Sequence, residues 1–278
     1  QYRATVDTVT KRSGAGSLHF QLDAGYASAN IAGQYLPMTY DGLGTGFREN
    51  SDMYVQYAVR LSPEMLSNLN FWDSFWKVSI FHQDGQSCAS KELTATTYYG
   101  GPAELYKDCG AEAMITELDG MTWRPTIPPF LLQQGDHRCE YPIWGSTCWN
   151  YPADKWITLY FKFRIGNYEQ PNSTAEAWYS VDGQPYRKWI NVMRNFTIYC
   201  NGTAPCPNEA FNNISFTPYM TGLTTSAPVT ANVWYDELIA STQPIAAPGV
   251  TPSPSPTPPP YSQSSYYSQS AYVPLPFN

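Results

Sequence analysis

Short runs of alternating apolar and polar residues are the feature that most limits how this chain can fold. Four runs are clear, at residues 53–61, 156–165, 175–183 and 232–240, and Gly, Pro, Asn or Asp residues separate them. A period of two residues is the pattern of a half-buried strand, and turn residues at intervals of about ten positions are typical of a sandwich. Only residues 62–66, which begin with Ser and Pro, show the start of a helical turn. The sequence therefore predicts an all-β fold, an antiparallel β-sandwich.

The composition is compatible with a sizeable core and argues against several classes of protein. Of 278 residues, 42% are hydrophobic, and the formal net charge is -7. Because Lys and Arg do not cluster, the chain lacks the cationic patch with which proteins neutralise phosphates, and we expect no nucleic-acid partner. No apolar run approaches the ~18–20 residues that cross a bilayer, so no membrane span is expected. Heptads are absent, which excludes a coiled coil.

The composition changes after Glu237, which is the last charged residue of the chain. Residues 249–260 are rich in proline and predict a polyproline II linker, whereas residues 261–278 contain a six-residue repeat of Tyr, Ser and Gln. We therefore expect a sandwich domain over residues 1–248, followed by this linker and a tail. Such a tail is either disordered or, because it is Tyr-rich and uncharged, an adhesive assembly segment. The residues expected to carry assembly are Tyr261, Tyr266, Tyr267, Tyr272 and Phe277.

The six cysteines suggest an oxidising compartment. They form three local couples by proximity: Cys88 with Cys109, Cys139 with Cys148, and Cys200 with Cys206. An even count at short spacings predicts disulfides, although six cysteines allow 15 connectivities. Zinc is the alternative, but the spacings are not those of paired zinc ligands and no His lies near the last couple.

Four glycosylation sequons are consistent with an extracellular location. They begin at Asn172, Asn195, Asn201 and Asn213. About three would arise by chance in a chain of this composition, so they add little to the cysteine argument. We expect a secreted glycoprotein whose leader, if it had one, is not part of this chain.

Several segments together resemble the concanavalin A-like jelly-roll superfamily. They are residues 14–20, 54–60, 156–165, 177–183 and 234–241. Within that superfamily the chain is similar to polysaccharide-lyase-like secreted bacterial proteins, which carry a Trp-Lys-x-Ser segment, paired cysteines and a closing Trp-Tyr-Asp-Glu-Leu strand. The resemblance covers roughly residues 10–248 and implies a jelly roll. It does not decide the activity, because this fold carries lectins, hydrolases, lyases and structural modules.

The strongest candidate for a catalytic segment is residues 71–84. Strict alternation along a strand would place Lys77, Ser79 and Phe81 on one face, and Trp76, Val78, Ile80 and His82 on the other. A lyase needs a base for the proton alpha to a uronate carboxylate and a cation or amide that holds the carboxylate. The predicted catalytic residues are Lys77, His82 and Arg60, with Tyr98 or Tyr99 as further candidates. The alternative is that these are ordinary solvated, ion-paired or hydrogen-bonded strand residues.

Other candidate sites are less specific. Hydrolysis by this fold normally uses two carboxylates on one strand, but Glu117 and Asp119 are not followed by the second Glu that the pattern requires. Exposed tryptophans can stack on sugars or pack in the core; the candidates are Trp72, Trp76, Trp144 and Trp149. In related folds an Asp near Asp236 helps to hold a structural Ca²⁺, although one ligand does not make a site. No cofactor is otherwise expected.

Three functions of different classes remain. The preferred prediction is a secreted structural protein that assembles with other copies of itself into a fibre or matrix through the tail, with retained carbohydrate recognition. The alternatives are a polysaccharide lyase that acts on a uronate-containing glycan and a non-catalytic carbohydrate-binding module.

Overall fold

A computed structural model describes residues 4–25, 30–31, 38–39, 46–66, 75–82, 92–98, 103–107, 117–118, 121–122, 151–168, 170, 172–190, 210–211, 213–221 and 229–246. These residues form strands and one short helix, α1 (Pro63–Leu66). The strands are β1 (Ala4–Asp7), β2 (Ser17–Leu22), β3 (Asn30–Ile31), β4 (Met38–Thr39), β5 (Ser51–Leu61), β6 (Phe75–His82), β7 (Glu92–Tyr98), β8 (Ala103–Lys107), β9 (Glu117–Leu118), β10 (Met121–Thr122), β11 (Ile157–Ile165), β12 (Thr174–Val181), β13 (Arg187–Ile190), β14 (Asn213–Thr221) and β15 (Ala231–Ser241).

Two antiparallel sheets make up the domain. The larger sheet has the order β1-β2-β15-β5-β11-β12-β13, and the smaller sheet has the order β3-β14-β6-β7-β8, with β4 also paired to β14. A separate two-stranded ribbon joins β9 and β10. The four alternating runs of the sequence became β5, β11, β12 and β15, and the predicted helical turn became α1. The predicted all-β antiparallel sandwich is confirmed.

The core lies between the two sheets and is rich in aromatic rings. Alternate residues of β5 and β11 are fully buried, and Phe81 of β6 packs against Phe161 and Phe163 of β11 at ring-centroid distances of 5.5 and 5.4 Å. On the neighbouring strand, Phe216 stacks on Tyr235 at 4.5 Å. Truncating a buried Phe to Ala typically costs about 3–5 kcal/mol, so these contacts strongly favour one arrangement of the sheets.

The loop between β1 and β2 crosses the outer face of the larger sheet. The guanidinium of Arg12 forms an ion pair with Glu237 at 3.0 Å and donates a hydrogen bond to Thr158 of β11. This loop is therefore attached to two strands of the sheet that it covers. Among the described residues, no helix has the length and apolar character needed to cross a membrane.

Candidate functional site

A β-bulge interrupts strand β6 inside the segment that the sequence marked as the strongest candidate. Ser79 pairs with Ala95 of β7, and Lys77 pairs with the next residue of β7, Thr96. Two steps along β6 thus correspond to one step along β7, and Val78 is the extra residue. A bulge of this kind shifts which side chains face which side of the sheet.

Strand β14, which pairs with β6 on its other side, also has an irregular register near Lys77 and Ser79. Phe216 of β14 pairs with Ser79, whereas Tyr219 pairs with Lys77, so three steps along β14 correspond to two along β6. Pro218 lies in this stretch, and proline, which has no backbone N–H, is tolerated within sheets mainly at edges and bulges. The sequence analysis missed this irregularity, for which a proline inside an otherwise strand-like run is the available signal.

The bulge brings Lys77 and His82 to the same face of the smaller sheet. Ser79 and Phe81 are fully buried, and Val78 belongs to the core with Phe81. Ala95 of β7 pairs with the buried Ser79 and therefore lies on the core side of the smaller sheet. The next residue of β7, Thr96, and its partner Lys77 then lie on the outer face, which is turned away from the larger sheet. His82, which follows the core residue Phe81, lies on that face as well. The prediction that Lys77 shares a face with Ser79, and that Val78 shares one with His82, is therefore corrected.

Three cross-strand rows define the outer face of the smaller sheet. The first row runs Tyr219, Lys77, Thr96, Glu104; the second runs Ser215, Ile80, Thr94, Tyr106; and the third runs Asn213, His82, Glu92. Polar and titratable residues dominate all three rows, unlike the core-side rows between them. Ile80, in the middle row, is only 1% exposed.

Lys77 has close neighbours within its own row, whereas His82 lies in a different row farther along the sheet. Directly paired residues of antiparallel strands have Cα atoms about 4.5–5.5 Å apart, so Tyr219 and Thr96 are immediate neighbours of Lys77. The rows of Lys77 and His82 are four β7 residues apart, from Thr96 to Glu92, which is about 13 Å along the strand. Lys77 and Tyr219 therefore occupy directly paired positions, whereas His82 lies in a row about 13 Å away. The sequence analysis missed Tyr219.

Two tyrosine hydroxyls hold the bulge from the core side. Tyr57 of β5 lies with its hydroxyl 2.6 Å from Ser79 Oγ, and Tyr235 of β15 donates to the Val78 carbonyl oxygen at 2.7 Å. Burial raises the pKa of both hydroxyls well above the ordinary tyrosine value. Both side chains therefore stay neutral and keep these hydrogen bonds throughout the usual pH range.

Arg60 does not join this face. It lies near the end of β5 between the core residues Val59 and Leu61, so its side chain is on the outer face of the larger sheet. There its Nη2 is 3.5 Å from Asp154 Oδ1, and its guanidinium carbon is 5.8 Å from the centre of the Trp234 ring. The full thickness of the core, about 10 Å, separates the two sheets. The expectation that Arg60 lines one groove with Lys77 and His82 is corrected.

Asp236 has a structural role in the described part of the chain. Its Oδ2 accepts hydrogen bonds from the backbone N–H groups of Arg12 and Ser13, at 2.8 and 3.1 Å, and its Oδ1 accepts from Glu237 at 2.8 Å. The carboxylate thus ties the β1–β2 loop to β15. Within the described ranges no three His, Cys, Asp or Glu residues come together as metal ligands. The calcium site at Asp236 stays a prediction.

The remaining predicted sites are only partly covered by the described residues. Trp76 pairs with Met220 and Thr97, one row on from Lys77 and thus on the other face of the sheet. Asn172 is exposed, and its side-chain amide donates to Asn167. Outside the described residues lie Trp72, Trp144, Trp149, Tyr99, all six cysteines, Asn195, Asn201 and the five residues expected to carry assembly.

Comparison with known proteins identifies the fold. No protein-family model matches the sequence, and no curated protein does. The structure is similar to the PL-14 alginate lyase from Aplysia kurodai, with a TM-score of 0.50, 14% identity and coverage of 86% of this chain and 87% of the other. It is also similar to endo-β-1,4-glucuronan lyase from Trichoderma reesei, with a TM-score of 0.51, 11% identity and coverage of 87% and 88%. The predicted fold, an antiparallel jelly-roll sandwich, is confirmed.

The same comparison overturns the preferred functional prediction. The two similar structures are polysaccharide lyases and match most of this chain, whereas the fibre or matrix prediction rested on a tail outside the described residues. The prediction of a self-assembling structural protein is wrong.

Proposed function

We propose that this protein is a polysaccharide lyase that cleaves a uronate-containing glycan on the outer face of the smaller sheet. The observation that carries the proposal is the paired irregularity of β6 and β14: the bulge at Val78 places Lys77 on that face, and the register shift in β14 pairs it directly with Tyr219. The likeness in fold to two polysaccharide lyases adds to it. An extracellular location, expected from the cysteines and sequons, suits a polysaccharide substrate.

The proposed reaction is a β-elimination at a 4-linked uronate. A base removes the proton from C5, the electron pair of that C–H bond forms the C4–C5 double bond, and the bond from C4 to the glycosidic oxygen breaks. The leaving oxygen takes up a proton, so no water is consumed. The C5 proton is weakly acidic because the adjacent carboxylate is negative, and a cation that binds the carboxylate lowers this barrier.

Lys77 and Tyr219 fill these roles as a pair. The Lys77 ammonium binds the uronate carboxylate and offsets the negative charge that builds up there as the C5 proton leaves. Tyr219 takes the C5 proton and then delivers it to the leaving oxygen. His82, about 13 Å along the sheet, binds a different sugar unit of the chain. The hydroxyl residues Thr94, Thr96 and Ser215 of the same rows supply hydrogen bonds to sugar hydroxyls.

The test is to incubate the full chain with alginate, glucuronan and glycosaminoglycans. Elimination produces an unsaturated uronate at the new non-reducing end, which absorbs in the ultraviolet and is lighter than the hydrolysis product by one water. We expect this product from at least one uronate polymer and none from neutral glucans. New reducing ends without ultraviolet absorbance would instead indicate a hydrolase. Binding without any product would indicate a carbohydrate-binding module, and either result would overturn the proposal.

A further inference from the structure

The carbonyl oxygen of Val78 accepts a hydrogen bond from the opposite sheet. The hydroxyl of Tyr235, on β15 of the larger sheet, donates to it at 2.7 Å, and both residues are buried. In a regular strand the carbonyl groups lie in the plane of the sheet and accept from neighbouring strands. Val78 is the extra residue of the bulge, and such a residue is left unpaired in the ladder. The backbone group that distinguishes the bulge from a regular strand is therefore held by Tyr235.

Tyr235 is itself firmly placed. Strand β15 lies between β2 and β5, and Tyr235 pairs with a residue of each. Its ring stacks on Phe216 of β14 at 4.5 Å, and Phe216 pairs with Ser79, the residue that follows Val78. The hydroxyl thus reaches Val78 from a strand that has neighbours on both sides. Because buried side chains in a close-packed core have little room to move, this donor fixes where the Val78 carbonyl lies.

The position of the extra residue decides the face of β6 on which Lys77 lies. With Val78 as the extra residue, Lys77 pairs with Thr96 and belongs to the outer face. Regular alternation from Ser79 would instead pair Val78 with Thr96 and place Lys77 on the core side, because a shift of one residue exchanges the two faces. The site that contains Lys77 and Tyr219 therefore exists only while the bulge stays at Val78.

We propose that Tyr235 is a positioning residue of the lyase site: its hydroxyl keeps the extra residue of β6 at Val78 and thereby keeps Lys77 on the outer face. Tyr57, the other tyrosine beneath the bulge, has a different role, because it bonds to the side chain of Ser79 and not to the backbone. Its loss weakens the core but releases no carbonyl of the bulge. The effect of Tyr235 on catalysis rests on the proposed function, whereas its effect on strand pairing does not.

The test compares Tyr235→Phe with Tyr57→Phe in the full-length chain. Each variant removes one hydroxyl and keeps a buried ring, so the two are matched in volume and burial. Nuclear Overhauser effects between the backbone protons of Lys77 and Thr96 report the strand pairing directly and need no substrate. Turnover of the uronate polymers is measured on the same variants.

We expect Tyr57→Phe to keep the contact between Lys77 and Thr96 at its wild-type intensity. Tyr235→Phe should lose most of this contact, and kcat should fall by about 100-fold, as a misplaced catalytic group typically costs. Deletion of Val78 gives a second test, because it leaves Lys77 directly before Ser79, and regular alternation then pairs Lys77 with Thr96 without a bulge. In this background Tyr235→Phe should leave the pairing unchanged.

The pairing contacts decide the inference. An unchanged contact between Lys77 and Thr96 in Tyr235→Phe would overturn it. An equal loss in Tyr57→Phe, or an equal loss after deletion of Val78, would show general loosening of the core and would overturn it as well. A wild-type chain without lyase activity, in which Tyr235→Phe still shifts the pairing, would refute the proposed function and leave the role of Tyr235 in the bulge intact.

Discussion

The hydroxyl of Tyr57 lies 2.6 Å from Ser79 Oγ and joins the central strand of the larger sheet to the bulged strand of the smaller one. Both side chains are fully buried. The contact lies directly beneath the bulge that positions Lys77, and with the Tyr235 hydrogen bond to Val78 it connects the core to the proposed site.

Removing both partners of this pair should cost less than the sum of the costs of removing each one alone. Tyr57→Phe leaves the Ser79 hydroxyl buried without its partner, and we expect a loss of about 1–3 kcal/mol in the free energy of unfolding. The double variant Tyr57→Phe, Ser79→Ala removes both polar groups and should lose less than the sum of the single variants. Denaturant titrations of the four proteins measure this coupling. Strict additivity would show that the two hydroxyls do not interact.

Substitutions of Lys77 distinguish a cation from a base. Lys77→Ala should lower kcat by at least about 100-fold, because the carboxylate then stays negative in the transition state. Lys77→Arg keeps the positive charge and should retain part of the activity; a lysine that acts as a base could not be replaced by Arg, which does not lose its proton in proteins. Lys155→Ala is the matched control, since Lys155 is exposed and forms an ion pair with Asp182. It should leave the activity unchanged.

Tyr219→Phe should abolish proton transfer without weakening substrate binding. Loss of a general acid or base typically costs about 100- to 10,000-fold in rate, so kcat should fall by that factor while KM changes little. The control is Tyr54→Phe, which removes a hydroxyl on the outer face of the larger sheet, 3.4 Å from Asp52. Wild-type activity in Tyr219→Phe would assign the proton transfer to another residue.

Arg60→Gln should leave the lyase activity intact. Arg60 lies on the opposite sheet from Lys77, and its contacts are Asp154 and the Trp234 ring. An exposed ion pair contributes at most about 1 kcal/mol, so thermal unfolding should shift only slightly. A large loss of activity with an unchanged fold would return Arg60 to the active site.

Asp7 should make the fold sensitive to acid. Backbone N–H groups of Thr10 and Val9, followed by the Trp234 indole, stabilise its carboxylate and lower its pKa to about 2. An unfolded Asp has a pKa of about 3.9. The unfolded chain thus takes up the proton first, so the contribution of Asp7 is complete above about pH 5 and is lost as the pH falls towards 2.

The measurement is the unfolding temperature as a function of pH for wild type and Asp7→Asn. The variant should be less stable than wild type near neutral pH, and the difference should shrink towards pH 2. A constant difference between the two proteins over that range would contradict the role assigned to this carboxylate.

Local patterns were enough to predict the sandwich. The alternation in β11, β12 and β15 reflects strands with one face in the core, and such a pattern needs no knowledge of the neighbouring strand. Strand β5 alternates in sequence as well, although residues 53–59 are buried on both faces. The turn at Asp182 and Gly183 was equally readable, and both residues have positive φ, 48° and 74°, as a tight hairpin turn demands.

The arrangement of the site depended on the pairing of strands. The extra residue at Val78 is visible only against β7, where one step faces two steps of β6, and that single shift moves Lys77 to the face of His82. The order of strands likewise separates Arg60 from both of them, because β5 lies in the other sheet. A sequence determines the period of each strand through the burial of alternate side chains. Register and sheet membership arise from long-range pairing, and only the tertiary structure decides them.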